Sequence, residues 1–192
     1  MKTSLLKIVS ISSKDYKKQL LLKVSEVDTM TNFLKGVLKN EVMVINTNLA
    51  LDVYYRAQTE QFELIKDAFL LVNAHKKTSS SDFHFRSFAS QQDIFNEAHA
   101  LFLKLSGMPL FFKSYSKSLF HQMSVKYESN RLILLNLFAI WQTVLLDLNA
   151  QEVHRQKFKT FLTTLQKLHI TYQYPPDFRS LLEDALETLH VN

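Results

Sequence analysis

Residues 28–75 read DTMTNFLKGVLKNEVMVINTNLALDVYYRAQTEQFELIKDAFLLVNAH, and the expected architecture of the chain depends mainly on them. Apolar residues recur there every seven positions, with Gln58 as the single exception, at Met30, Val37, Val44, Leu51, Ile65 and Val72. This spacing is typical of helices that pack side by side as in a coiled coil. We therefore predict two helices or one bent helix over 28–75, with the break at the poor helix formers of 46–48, and one straight helix as the alternative.

The heptad seam of residues 30–72 is longer than one short neighbouring helix can cover. An apolar seam of this kind is expected to pack against a second protein surface. The sequence therefore predicts a non-enzymatic helical interaction or scaffold module. Its expected partner is another protein or a second copy of the chain in a homodimer, bound through this seam.

Turn-forming residues are scarce, because the 192 residues include only two glycines and three prolines. Few sharp turns favour long helices, so we predict an all-α bundle of about five to seven helices with a long N-terminal helical hairpin. A short strand or loose arm is an alternative for residues 4–11. The chain is treated as one helical domain, with an arm and short helix over 1–27, the hairpin over 28–106 and an aromatic-rich bundle over 108–192.

The C-terminal half carries the clearest helix boundaries. Gly107 and Pro109 end a helix expected over 85–106, and further helices are expected over 110–128, 130–148, 150–169 and 177–190. Residues 132–148 are apolar almost all the way round, which favours a buried central helix over a membrane span, because three polar residues interrupt them. We expect Trp141, on this helix, to be buried.

Residues 108–127 combine an aromatic stripe with unopposed positive charge. Phe111 and Tyr115 begin a series of apolar residues at every fourth position, and Lys113 and Lys117 lie beside it. No acidic residue occurs between Glu97 and Glu128. This pattern is typical of a basic amphipathic helix that binds an anionic lipid or hydrophobic surface. The alternative is that the stripe packs in the core while the lysines extend into solvent.

The sequence offers no recognisable catalytic, cofactor-binding or metal-binding motif. It contains no cysteine, and none of the seven histidines lies three or four positions from another, as ligands on one helix face require. Two glycines are too few for a phosphate-binding or dinucleotide-binding loop. Five scattered arginines disfavour nucleic-acid recognition despite the net charge of +5. We therefore predict no cofactor and no metal, and leave open an enzyme or small-molecule pocket in the aromatic helical core.

The order of a long amphipathic segment, a Lys-Ser-Asp loop over 76–82 and a helix containing Gln91 and Gln92 resembles that of phasin-type granule coats, although the aromatic C-terminal half departs from it. The resemblance implies a peripheral coat of a lipid or hydrophobic surface, with residues 108–127 as the contact. The N-terminus lacks a cleavable signal pattern, so a cytoplasmic location is expected.

Overall fold

A computed structural model describes residues 5–15, 20–76, 78–150 and 155–191 of the chain. The chain divides into two compact units, which we call the sheet unit (Met1–Asn96 and Glu128–Ile133) and the helical unit (Glu97–Tyr127 and Leu134–Asn192). The sheet unit contains a four-stranded antiparallel sheet. The predicted all-α class is therefore wrong, and the protein is a mixed α+β protein.

The sheet unit has the element order βαββαβ. Its elements are β1 (Leu5–Ser13), α1 (Val24–Leu38), β2 (Val42–Asn46), β3 (Leu51–Ala57), α2 (Phe62–Asn73) and β4 (Phe83–Phe88). The strands lie in the order β2-β3-β1-β4, and every pairing is antiparallel. This arrangement consists of two interlocked split βαβ units, so β1 lies in the middle of the sheet.

The segment predicted as a helical break is a β-hairpin. The run Val42–Asn46 is buried at every position and rich in β-branched residues, which pack well in a strand. The Thr47 hydroxyl accepts hydrogen bonds from the backbone N–H groups of Leu49 and Ala50, and this closes the turn into β3. Threonine and asparagine have low helix propensity because they favour such turns. The same residues therefore fit both a break in a helix and the turn of a hairpin.

The heptad residues belong to four different elements that face one core. Met30 of α1, Val44 of β2, Leu51 of β3 and Ile65 of α2 are all fully buried in the sheet unit. The seven-residue spacing therefore reflects the lengths of successive elements and not one continuous helix face. The long helical hairpin is wrong for this reason, and with it the feature on which the resemblance to phasin-type coats depended.

The helical unit contains helices near the predicted ranges, with two departures. The helix expected from residue 85 begins at Gln91, because Phe83–Phe88 form β4, and the helix expected over 150–169 spans Arg155–Gln173. The helices of this unit are α3 (Gln91–Ser106), α4 (Pro109–Lys126), α5 (Arg131–Ala150), α6 (Arg155–Gln173) and α7 (Pro176–Val191), of which α3 and α5 begin in residues assigned to the sheet unit. Pro109 and Pro176 each lie at the start of a helix. Proline has no backbone N–H, and at this position the N–H would have no partner within the helix, so no hydrogen bond is lost.

α5 supplies much of the core of the helical unit. Its described buried residues within the helical unit recur at three- and four-residue spacing and are Leu134, Leu137, Phe138, Trp141, Val144, Leu145 and Leu148. Trp141 makes an edge-on contact with Phe102, with ring centroids 5.8 Å apart, so its predicted burial is confirmed. In the described part of the chain, Arg131–Leu148 is the one stretch long and apolar enough to cross a membrane. A one-sided burial pattern also fits a core helix.

Candidate small-molecule pocket

The structure separates the residues that were predicted to form the interaction seam. Met30, Val44, Leu51 and Ile65 are core residues, Val72 is partly buried, and Val37 is half-exposed on α1. The four core side chains are not accessible to a partner in this fold. The surface through which self-association was expected is therefore the interior of the sheet unit.

The aromatic stripe of α4 also lies mainly in the core. Tyr115 and the later stripe residues Leu119, Met123 and Tyr127 are buried, while Phe111 is partly buried. Lys113 and Lys117 are exposed on the other side of the helix. The stripe cannot enter a lipid surface while it fills the interior of the helical unit.

A cavity of about 180 Å³ lies among α5, α6 and α7 in the helical unit. Its walls combine apolar side chains with two glutamines, one tyrosine and one histidine. The lining residues are Phe138, Gln142, Leu165, Gln166, His169, Ile170, Tyr174, Leu182 and Leu186. An apolar cavity with a few convergent polar groups is the usual form of a small-molecule site.

Each of the three helices contributes one wall of the cavity, because its lining residues share one helix face. Phe138 and Gln142 are four residues apart on α5, and Leu182 and Leu186 are four apart on α7, so each pair shares a helix face. α6 contributes a wider face with the four lining residues of the range 165–170. The three helices thereby line a cavity that is partly open to solvent at Gln142 and Tyr174, and of the lining residues only Tyr174 comes from a connection.

The turn between α6 and α7 fixes Tyr174. Its backbone N–H donates to the Ile170 carbonyl at 3.1 Å, and its carbonyl accepts from Arg179 Nε at 2.9 Å. Pro175 and Pro176 follow directly and restrict the backbone, so α7 begins at once. Tyr174 is therefore held at the rim of the cavity.

His169 is the central side chain of the pocket. Its ring lies edge-on to Phe138, at 5.7 Å between centroids, and edge-on to Tyr174, at 6.4 Å. Burial lowers the pKa of His169, because an imidazolium loses hydration among these rings. The ring is thus neutral at pH 7 and can serve as one hydrogen-bond donor and one acceptor.

Two polar atoms of the lining have no hydrogen-bond partner although they are buried. These atoms are Gln166 Oε1 and His169 Nδ1, which belong to residues three apart on the same face of α6. A buried polar atom without a partner costs about 1–3 kcal/mol, so such atoms are uncommon in folded proteins. Because both residues line the same cavity, a ligand there could satisfy both atoms.

A second cavity, of about 390 Å³, lies in the sheet unit. It is lined mainly by polar residues from the end of α1 and the region after β3, including Asn40, Arg56 and Gln58. Among the side chains that the structure describes, no group of three or more histidine, aspartate or glutamate residues is placed to hold a metal ion. The pocket of the helical unit is the better candidate because its apolar walls contain the two unpartnered atoms.

Sequence reasoning did not select this pocket. Its signal is an α6 face on which Gln166 and His169 alternate with Leu165 and Ile170, and polar residues on an otherwise apolar face can be recognised in a sequence. The sequence does not show that α5 and α7 pack against α6 in a way that leaves a cavity. Comparison with known protein families, curated proteins and solved structures found no match for this chain.

Proposed function

We propose that the chain is a small-molecule-binding protein whose ligand, a neutral single-ring compound, occupies the pocket among α5, α6 and α7. The observation that carries the proposal is the pair of buried, unpartnered atoms, Gln166 Oε1 and His169 Nδ1, in one small apolar cavity. The proposed role is binding, because the lining has one histidine and no serine, threonine, lysine or carboxylate with which to form a catalytic pair.

The size of the cavity limits the ligand. A cavity of about 150 Å³ with apolar walls accommodates one benzene ring, and the pocket described here measures about 180 Å³. The space therefore suits a single aromatic ring with one small substituent. Phe138, Tyr174 and the His169 imidazole offer ring surfaces for edge-on or stacked contact with it.

The charge of the lining selects a neutral ligand. None of the nine lining residues is an aspartate, glutamate, lysine or arginine, and burial keeps His169 neutral. An ionised ligand would lose its hydration there without gaining a counter-charge. Gln166 Oε1 is an acceptor, so the ligand is expected to present an N–H or O–H donor to it.

The other function classes have less support. Four of the six residues of the expected self-association surface are fully buried in the sheet unit, as described above. Sheet proteins that bind RNA stack bases on exposed aromatic side chains of the open sheet face. In this sheet, the face opposite α1 and α2 contains the buried residues Leu6, Ile8, Met43, Ile45 and Tyr54. A cytoplasmic location, expected from the N-terminal sequence, is retained as part of the proposal.

The proposal can be tested with four probes of similar size. Benzamide and phenol carry donors and are neutral, toluene lacks a donor, and benzoate is charged. We expect benzamide and phenol to bind, as measured by calorimetry and by a rise in melting temperature. A lost hydrogen bond in a buried site costs about 1–3 kcal/mol, so toluene should bind roughly 5- to 150-fold more weakly. Benzoate should bind most weakly.

A matched pair of variants locates the binding. Leu182→Trp fills the pocket, whereas Leu181→Trp places the same side chain at the preceding position of α7, which is exposed. We expect the first variant to abolish benzamide binding and the second to retain it. If neither benzamide nor phenol binds, or if Leu182→Trp binds benzamide as the unmodified chain does, the proposed function is wrong.

A further inference from the structure

The connection between α3 and α4 is a tight turn in the helical unit. The Gly107 backbone N–H donates to the Lys104 carbonyl at 3.2 Å, and the Met108 N–H donates to the Leu105 carbonyl at 2.9 Å. Pro109 then opens α4. We call residues 103–117 around this turn the α3–α4 tip.

Three apolar side chains of the tip are exposed to solvent. Leu110 is 84% exposed, Leu103 46% and Met108 39%, and Leu110 and Met108 lie within three residues of Gly107. Scattered exposed leucines are ordinary, but here three large apolar side chains fall within eight residues at one turn. They are separate from the buried stripe that begins at Phe111.

Positive charge surrounds these side chains. Lys104 on α3 and Lys113 and Lys117 on α4 are exposed, and His121 continues the same line of α4 at four-residue spacing. The sequence contains no aspartate or glutamate between Glu97 and Glu128 that would offset this charge. The tip therefore combines protruding apolar side chains with a cationic surround.

We propose that the α3–α4 tip docks on an anionic lipid bilayer. Leu110, Met108 and Leu103 enter the interfacial layer, while the lysines contact the negatively charged headgroups. The phosphates of a nucleic acid would attract the lysines, but they provide no apolar surface on which the exposed leucines could be buried. The bilayer matches both features. This site does not depend on the small-molecule pocket, since none of the tip residues lines that cavity.

The experiment compares sedimentation of the full chain with vesicles of pure phosphatidylcholine and of equal parts phosphatidylcholine and phosphatidylserine. We expect binding to the mixed vesicles at an ionic strength of about 0.1 M and much weaker binding at about 1 M, where charge is screened. Each lysine near an anionic surface contributes about fivefold to the partition coefficient. Lys113→Glu combined with Lys117→Glu should therefore lower it by at least about 25-fold.

Matched controls separate the tip from general effects of charge and apolarity. Lys14→Glu combined with Lys39→Glu makes the same change in net charge at two exposed lysines of the sheet unit. Leu110→Ala removes three carbon atoms and should weaken binding by about 60-fold, because each buried methylene contributes about fourfold. Leu71→Ala makes the same change at an exposed leucine of α2 and should have no effect. Circular dichroism checks that each variant is folded.

Insertion can be measured at one position, because the chain has no cysteine of its own. Leu110→Cys, labelled with a fluorophore that shifts to the blue in apolar surroundings, should shift on mixed vesicles, and labelled Leu71→Cys should not. Absence of vesicle binding at low salt, or equal binding by the tip variants and their controls, overturns the proposal. So does tighter binding of a single-stranded oligonucleotide that depends on Lys113 and Lys117 but not on Leu110.

Discussion

Glu26 connects α1 to the end of α2 through its carboxylate. It accepts hydrogen bonds from Lys76 Nζ at 2.9 Å and from the Lys23 backbone N–H at 2.6 Å, and His75 Nε2 lies 3.2 Å away. Burial alone would raise the pKa of Glu26, but the two hydrogen bonds and the charges of Lys76 and His75 outweigh it and lower the pKa. The ionised form therefore stabilises the fold above the unfolded pKa of about 4.5, and this contribution is lost as the pH falls through the lowered value.

We predict that Glu26→Gln lowers the free energy of unfolding by about 1–2 kcal/mol at pH 7, because it removes charge-assisted hydrogen bonds from a side chain that is only 13% exposed. The control is Glu63→Gln, since Glu63 pairs with Lys66 but is 70% exposed. Surface pairs of this kind contribute about 0–1 kcal/mol. Urea unfolding measures both variants, and equal losses would contradict the assigned role of Glu26.

His169 should also make stability fall as the pH falls, but in a higher pH range than Glu26. Its folded pKa lies below the ordinary 6.5, so the unfolded chain takes up the proton first as the pH falls. We predict that stability declines from about pH 6.5 downward and that His169→Gln reduces this decline. His121→Gln, which changes an exposed ring on α4, is the control. Urea unfolding between pH 7 and pH 5 tests the prediction, and an unchanged decline in His169→Gln would contradict it.

At the scale of the elements, the N-terminus of α5 is capped by a residue distant in sequence. The Glu41 carboxylate accepts hydrogen bonds from the backbone N–H groups of Ile133 at 2.9 Å and Leu132 at 3.3 Å. All three residues belong to the sheet unit. A carboxylate there satisfies two N–H groups that the helix leaves unpaired and interacts favourably with the helix dipole.

We predict that Glu41→Ala lowers the free energy of unfolding by about 1–2 kcal/mol, as expected for loss of a helix cap. Glu41→Gln keeps a hydrogen-bond acceptor but removes the charge, so it should lower the free energy of unfolding by about half as much. Chemical unfolding followed by circular dichroism measures both. A Glu41→Ala variant as stable as the unmodified chain would show that the cap contributes nothing.

Two residues of the predicted seam provide a direct test of the sheet. Val44 is fully buried in β2, whereas Val37 is 50% exposed on α1. Val44→Asp places an unpaired charge in the core and should destabilise the sheet unit by more than about 4 kcal/mol, whereas Val37→Asp should change stability by less than about 1 kcal/mol. Hydrogen exchange of residues 42–57 and sedimentation velocity are the measurements. If the seam instead joined two chains, both variants would dissociate a dimer and remain folded.

The heptad pattern misled the sequence prediction because a period of seven is shared by two arrangements. Two helical turns produce it, but so do successive short elements that each place one residue in a common core. Met30 and Val44 are two heptads apart in the sequence, but Met30 lies on helix α1 and Val44 on strand β2. The run Val42–Asn46 is rich in β-branched residues, which favour a strand, but the heptad pattern alone does not reveal this.

The helix boundaries at Gly107 and at Pro176 were predictable because they depend on local chemistry, whereas the start of α3 and the end of α6 lie several residues from their predicted positions. Gly107 with Pro109, and Pro175 with Pro176, end one helix and start the next whatever the tertiary structure is. Burial of Trp141 followed equally from its apolar neighbours. The pocket was not predictable, since its volume depends on how three helices pack and not on the pattern of any one of them.

At the scale of the whole molecule, the two units should respond differently to a pocket ligand. Ligand that binds only the folded state stabilises it by about 2.7 kcal/mol at 100 times the Kd. We predict that saturating benzamide slows hydrogen exchange in residues 134–148 and 158–186 of the helical unit. Exchange in residues 42–57 of the sheet unit serves as the internal control and should remain unchanged. Equal protection of both regions would place the ligand elsewhere.

The central position of β1 determines the order in which the chain can fold during synthesis. β1 leaves the ribosome before the other three strands, yet its outer partner is β4, with which it pairs Ile8 against Phe88. At about 5–20 residues per second, translation leaves the β4 side of β1 unpaired for several seconds. A nascent chain that has reached only α2 presents an open strand edge, and such edges pair readily with other chains. The sheet unit is therefore expected to need holdase chaperones during translation, whereas helices, with their local contacts, form as they emerge.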